Sequence, residues 1–329
     1  MSKLKQVRLP LLLLIVVLIY AFGPKPPKAE LSKQLPEISC SIADIENYIH
    51  EKDKGLDVKS ENEAAIMWAD SLHSETEFCL LYLHGFSASR MEGMPTHENV
   101  AKHFGMNLYL PRLAAHGIIS DEPLLDMTPD ALYESAKDAL VVAHKLGQKV
   151  ILMSTSTGGT LSLKLAADFP DLVDGLILYS PNVAINNFGA SMLSKPWGLQ
   201  IARMIYGGKY RTVNDNPDDE ECLYWNCFYR LEATVFLQQL VDECMNAETF
   251  SRVKCPTFLA YYYQDEEHQD PVVKVSAALE MFDQIQTPAA QKKKQAFNAG
   301  VHVIAYGKDS QAQAEIEEAT IEFIEKINS

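Results

Sequence analysis

From residue 78 onward, short continuous apolar runs alternate with stretches in which apolar residues recur every three or four positions. Phe78-Cys79-Leu80-Leu81-Tyr82-Leu83 is such a run, and a strand apolar at every position is one covered on both faces. Residues 107–110, 149–153, 176–179 and 257–263 have the same character. Between them, Ala131, Leu132, Ala136, Ala139, Leu140, Ala143 and Leu146 make one helical stripe with Pro129 in its first turn. Residues 160–169, 272–285 and 312–327 repeat that periodicity. Strands alternating with helices predict an α/β fold, a mostly parallel doubly wound sheet with helices on both faces.

Residues 187–252 break the alternation. They hold no clear strand, a Gly207-Gly208 break and an acidic loop at 215–221, with helical segments near 190–205 and 222–245. This reads as a helical cap inserted between two strands, leaving 31–186 and 253–329 as the core. At the other end, Lys3, Lys5 and Arg8 precede an apolar run over 9–22, broken only by Pro10. A basic flank before a short apolar segment is an export signal, and the run falls short of the roughly 20 residues of a comfortable span. Ala21-Phe22-Gly23 has the small residues of a cleavage site, but Pro24 would hinder cleavage. Residues 1–30 are therefore expected to be a signal peptide or an uncleaved signal anchor, followed by a stiff Pro-rich spacer. The expected location is exported, periplasmic or extracytoplasmic, with a membrane tether through residues 9–23 as the retained form.

Composition narrows the functional classes. Apolar residues make up 47% and charged residues 22%, which excludes a disordered or fibrous chain. Against 44 acidic residues stand 29 Lys plus Arg, and a net charge of −15 repels phosphate backbones, so no nucleic-acid partner is expected. The one Lys run, 292–294, reads as a solvated strand entry. Six Cys without a C-x-x-C pair argue against a zinc ribbon or a thioredoxin-type site. In an oxidising compartment some of Cys222, Cys227, Cys244 and Cys255 could pair, but spacing leaves the connectivity open; Cys79 reads as a buried thiol.

The decisive stretch follows the strand at 149–153. Ser154-Thr155-Ser156-Thr157-Gly158 passes at once into a helix, a tight turn that would hold Ser156 strained with small residues two positions to either side. Its hydroxyl would then stand above the C-terminal edge of the sheet, at a helix N-terminus that favours developing negative charge. The bland alternative is a Ser/Thr-rich helix cap without chemistry.

With Leu83-His84-Gly85-Phe86-Ser87 after an early strand, 110–117 ending in His116-Gly117, and this elbow, the chain resembles the α/β-hydrolase fold family. Its capped carboxylesterase and monoacylglycerol-lipase-like branch is the nearest in pattern. Ser154 stands where the elbow usually has glycine. The resemblance implies a serine nucleophile at Ser156, a base after the last strand and an acid between them in the chain. His302, in Asn298-Ala299-Gly300-Val301-His302-Val303, fits the base. His84 and His116 read as loop-organising residues and His268 as a surface histidine. The acid lies within 264–273, where Asp270, Asp265 and the two glutamates Glu266 and Glu267 compete. Asp270 is favoured by the Pro271-Val272-Val273 that leads into a helix, although Asp265 stands nearer the strand end. The oxyanion hole would be the backbone amides of Phe86 and Thr157.

Tyr224 and Trp225 in the insertion could line a substrate pocket, or could simply be cap core. The implied activity is ester hydrolysis, possible on acylglycerol or other lipid-like esters, through an acyl-enzyme on Ser156, with no metal and no organic cofactor. A serine aminopeptidase, a C–C bond hydrolase or an acyltransferase would use the same parts, and a non-catalytic binding protein could keep the fold. Dehalogenase chemistry is disfavoured, because it needs Asp where this chain has Ser156.

Overall fold

A computed structural model describes residues 13–15, 17–216 and 219–327. Lys3, Lys5, Arg8 and the start of the apolar run lie outside the described residues. After the helix α1 (Ile45–Asp53), the chain enters the sheet through β1 (Ala65–Met67) and β2 (Thr76–Leu83). It continues through α2 (Thr96–Phe104), β3 (Asn107–Leu110), α3 (Pro129–Leu146), β4 (Gly147–Thr155), α4 (Thr157–Asp168) and β5 (Gly175–Tyr179). An irregular stretch follows, with α5 (Gly198–Tyr206), β6 (Tyr210–Thr212), α6 (Glu220–Tyr224), β7 (Phe228–Arg230), α7 (Leu231–Cys244) and α8 (Ala247–Arg252). The chain closes with β8 (Thr257–Tyr262), α9 (Val275–Gln284), β9 (Lys292–Phe297) and α10 (Gln313–Ile327).

Seven strands form one sheet in the order β1-β3-β2-β4-β5-β8-β9, parallel except for the edge strand β1. Alternation along the strands divides the core into two layers. Cys79, Leu81, Leu83, Val150, Leu152, Leu176, Leu178 and Leu259 point to the side covered by α3, α4, α7 and α9. Their neighbours Leu80, Tyr82, Ile151, Met153, Ile177, Tyr179 and Phe258 point to the other side, beneath α2 and α10. This two-sided burial is why the central strands are apolar at every position. The three lysines at 292–294 begin β9, an edge strand, where charge discourages pairing with another sheet.

Several boundaries differ from the periodicity. The segment expected to be helical near 190–205 is a short 3-10 turn (Ala190–Met192) followed by a separate helix from Gly198. The helix expected over 272–285 starts at Val275, because Val273 bridges to Ile185 and the amides of Val272 and Val273 donate to the Asp270 carboxylate. The segment expected to be helical over 222–245 is two helices. A Cys222–Cys227 disulfide and the β6–β7 pairing take the intervening residues out of helical geometry. Cys40, Cys79, Cys244 and Cys255 are free thiols.

Within 187–252 the elements divide their loyalties. Leu237, Leu240, Cys244 and Phe250 of α7 and α8 join the buried layer that includes Leu161, Leu163 and Leu165 of α4. By contrast, α5 leaves Met204 and Ile205 exposed. It adjoins the N-terminal segment, where Trp197 Nε1 donates to the Ile19 carbonyl (2.9 Å) and Trp197 N to that of Pro24 (2.8 Å). No helix among the described residues is long and apolar enough to cross a membrane.

Candidate active site

The carboxyl ends of β2, β4, β8 and β9 open toward one edge of the sheet, and the candidate residues gather there. Ser156 sits between β4 and α4 with φ +53° and ψ −117°, a conformation L-residues avoid unless their surroundings impose it. Its N–H donates to the Tyr179 carbonyl (3.1 Å), and its carbonyl accepts from Gly159 (2.9 Å) and Asn182 (2.8 Å). Helix α4 reaches this close only because Gly158 lacks a side chain: a Cβ there would lie 1.9 Å from the Leu83 carbonyl oxygen. Ser154, in the place usually held by glycine, is fully buried.

His302 follows β9, and its Nδ1 lies 2.7 Å from Asp270 Oδ2. The other carboxylate oxygen, Oδ1, accepts from the amides of Val272 (2.9 Å) and Val273 (3.0 Å), so the group is clamped on both sides. Burial alone would raise the Asp270 pKa. The His302 ring and the two amides outweigh it and hold the carboxyl below its ordinary value. Nε2 of His302 is buried and has no hydrogen-bond partner among the described residues, Ser156 Oγ included. An imidazole oriented at Nδ1 and vacant at Nε2 is poised to take a proton, and such contacts commonly tighten only around substrate.

Asp265 is nearer the end of β8 in sequence but not in space. Tyr263 bridges to Gln269, so 264–268 loops outward, and the Asp270 amide returns to the Tyr262 carbonyl (3.2 Å). Asp265 then lies in solvent, paired with His268 Nδ1 at 2.8 Å. Glu266 is exposed too and accepts from the Tyr263 hydroxyl.

The Thr157 amide opens α4 and has no intrahelical acceptor. The Phe86 amide likewise has no hydrogen-bond acceptor among the described residues. Two buried histidines shape the loop that carries Phe86. His84 Nε2 accepts from the Leu113 amide (3.3 Å), and His116 Nε2 accepts from the Ser87 amide (3.1 Å). Burial lowers their pKa values to about 3 and about 4, so both stay neutral and keep an acceptor nitrogen.

The loop between α6 and β7 leans over this edge. Asn226 N donates to the Ser87 carbonyl (2.7 Å), and the Phe86 and Tyr229 rings meet edge to face with centroids 5.2 Å apart. Trp225 meets Tyr306, four residues beyond His302, at 5.5 Å. A cavity of about 440 Å³ adjoins the loop, lined by Lys59, Ile118, Pro123, Asn226, Cys227 and Phe228 among others. Tyr224 and Trp225 do not line it, and the Tyr224 hydroxyl donates outward to Glu61 (2.8 Å).

A buried acid beside the site carries no mark in the sequence. Glu92 lies in a short 3-10 turn (Arg90–Gly93), is 2% exposed, and accepts from the Gly85 amide at 2.6 Å. No spacing rule marks a carboxyl that a loop folds inward. Burial pushes it up to about 7, against the opposing pull of the Gly85 amide, His302 and Tyr82. Among the described residues no cluster of His, Cys, Asp or Glu could hold a metal ion.

This sheet, with a strained serine at the end of β4 and a His–Asp pair beyond β8 and β9, defines a serine hydrolase of the α/β-hydrolase fold. The profile of the family described as serine aminopeptidase, S33 matches residues 130–327, which include Ser156, Asp270 and His302, and the chain belongs to that family. It is 27% identical over 196 residues to a thermostable monoacylglycerol lipase of Bacillus sp. (strain H-257), covering 58% of this chain and 71% of that one. Among solved structures, one of metagenome-derived lipolytic enzymes aligns with TM-score 0.66 at 17% identity, over 82% of this chain and 99% of that one. A monoacylglycerol lipase of Paleococcus ferrophilus aligns at 0.59 and 14%, over 80% and 98%. At these identities the structural likeness speaks for the fold.

Two outcomes follow from the geometry. Asp270→Asn should cut kcat by roughly 10⁴, the scale seen when such an acid is neutralised, while Asp265→Asn changes it little; the reverse ranking would move the role to Asp265. For Glu92 the folded carboxyl keeps its proton to about pH 7, whereas the unfolded chain releases it near the ordinary glutamate value of 4.5. The folded state therefore binds more protons between those values. Its stability falls as pH rises through that window, by up to ~3 kcal/mol, and then levels off. Glu92→Gln should gain more in Tm over the wild type at pH 8 than at pH 5, and equal offsets at both pH values would refute the assignment.

Proposed function

We propose that the chain hydrolyses carboxylic esters through an acyl-enzyme on Ser156. The observation that carries this is the pairing of an Asp270-held imidazole, vacant at Nε2, with a strained serine at the same sheet edge. His302 Nε2 takes the Ser156 proton as Oγ attacks the ester carbonyl. The oxyanion is received by the Phe86 and Thr157 amides, each worth about 2.7–4 kcal/mol in comparable sites. The imidazolium returns the proton to the departing alcohol, and water repeats the sequence to release the acid. Lipolytic relatives favour an ester over an amide. The insertion loop that touches both the Phe86 loop and Tyr306, through Asn226 and Trp225, would govern which esters enter.

The family's description supports a second reading, hydrolysis of aminoacyl amides by the same residues. Activity against p-nitrophenyl esters of graded chain length, beside aminoacyl amides, separates the two. Ser156→Ala should lower kcat on the preferred substrate by at least about 10³ without loss of Tm. A variant keeping a tenth of the activity would remove Ser156 from the mechanism.

We further infer an exported protein. The basic and apolar N-terminus supports this, as does a disulfide that reducing compartments rarely keep. Whether residues 9–23 remain as a tether is open to fractionation of the full chain. Cys222 and Cys227 should be oxidised in protein recovered from outside the cytoplasm; reduced thiols in cytosolic protein would contradict export.

A further inference from the structure

Among the described residues, Glu92 is a buried acid beside the reacting groups that the proposed chemistry leaves unused. The turn that carries it is fixed at its start, where Ser89 Oγ accepts from the Met91 amide (3.4 Å) and the Ser89 carbonyl from the Glu92 amide (3.1 Å). This folds the side chain back under the Phe86 loop. Its Oε2 accepts from Gly85 N at 2.6 Å and from Tyr82 Oη at 3.2 Å. The same Tyr82 hydroxyl lies 3.0 Å from Thr155 Oγ1, on the residue before Ser156. One carboxyl thus ties the loop that offers the Phe86 amide to the strand that delivers the nucleophile.

The packing leaves no slack. A Cβ on Gly85 would stand 2.7 Å from Glu92 Oε1 and 3.1 Å from Ser156 Cβ, so the acid, the loop and the serine share one small space. On the outer side, a Cβ on Gly93 would strike His97 and Tyr82, whose rings meet edge to face at 4.9 Å. His97 is held in turn through Nε2 to the Arg90 carbonyl (2.9 Å). A carboxyl buried so fully costs stability, and folds do not keep one without a compensating contact.

We propose that Glu92 is a positioning residue that holds Gly85 so that the next amide, Phe86 N–H, points into the oxyanion hole. This rests on the reading of Ser156 and Phe86 given above. The role belongs to the acceptor oxygen rather than to the charge. Without an acceptor, Gly85 N–H must seek another partner, and the peptide that follows it turns away from the developing oxyanion. Substrate binding in the ground state makes little use of that amide, so the loss should fall on kcat and on binding of tetrahedral adducts, not on KM.

The test uses the full chain, a p-nitrophenyl ester and an alkyl boronic acid, which forms a tetrahedral anion on serine. Glu92→Met keeps the volume without the acceptor; kcat should fall about 30- to 100-fold, boronate Ki should rise by a similar factor, and KM should stay within about two-fold. Glu92→Gln restores an acceptor and should recover at least ten-fold of that loss. Should the Met variant fail to fold, Glu92→Asp draws the carboxylate back by one methylene and should lower kcat about ten-fold. The proposal is overturned by a folded Met variant with wild-type kcat, by a loss confined to KM or Tm, by Gln falling as far as Met, or by Asp at wild-type kcat. A wild type that takes no fluorophosphonate label on Ser156 would instead overturn the functional reading on which the proposal rests.

Discussion

Everything at the sheet edge depends on the backbone of Ser156 being held where a serine would not go unaided. A φ of +53° costs of order 1–3 kcal/mol for a residue with a side chain. Four contacts offset it: the hydrogen bond to Tyr179 at the end of β5, and the amides of Gly159, Thr160 and Asn182 that close on the Ser156 carbonyl. These anchors come from the neighbouring strand, the loop after it and the first turn of α4, so the elbow cannot relax without disturbing the core. What the strain provides is placement. The side chain stands clear of the sheet, and the Thr157 amide, without an intrahelical acceptor, lies at the start of the helix that follows it.

The other members of the site are held by the same logic, with polar groups fixed inside apolar surroundings. Asp270 is clamped by two amides and the His302 ring. His84 and His116 are kept neutral by burial and serve as hydrogen-bond acceptors for neighbouring loop amides. Glu92 fits the pattern as a buried acid spanning Gly85 and Tyr82. Each such group is expensive in a low-dielectric interior unless fully satisfied, so their concentration at one edge marks where stability has been exchanged for geometry.

Much of this was legible in the chain. The central strands are apolar at every position because both faces are buried, and the helices announce themselves by periodicity. Pro271-Val272-Val273 favours Asp270 over Asp265 in the sequence; in the fold the amides of Val272 and Val273 donate to the Asp270 carboxylate, while 264–268 loops away. Less visible were elements defined by tertiary contact. The 225–230 break follows from a disulfide and a two-strand pairing, neither of which leaves a periodic trace. Glu92 looks like any surface glutamate in sequence, since only the folded turn buries it. Tyr224 and Trp225 stand out in the sequence by their aromatic character, whereas the cavity wall beside the Phe86 loop includes Asn226, Cys227 and Phe228, which carry no pattern of their own.

The central claim is that Ser156 becomes acylated. Rapid quenching of the protein with p-nitrophenyl butyrate in the steady state, followed by peptide mass mapping, tests it directly. A butyryl group on the peptide containing Ser156, formed with a burst of p-nitrophenol equal to the protein present, is the expected result. Turnover of the ester with the label on another residue, or with no covalent intermediate and undiminished activity in Ser156→Ala, would contradict it.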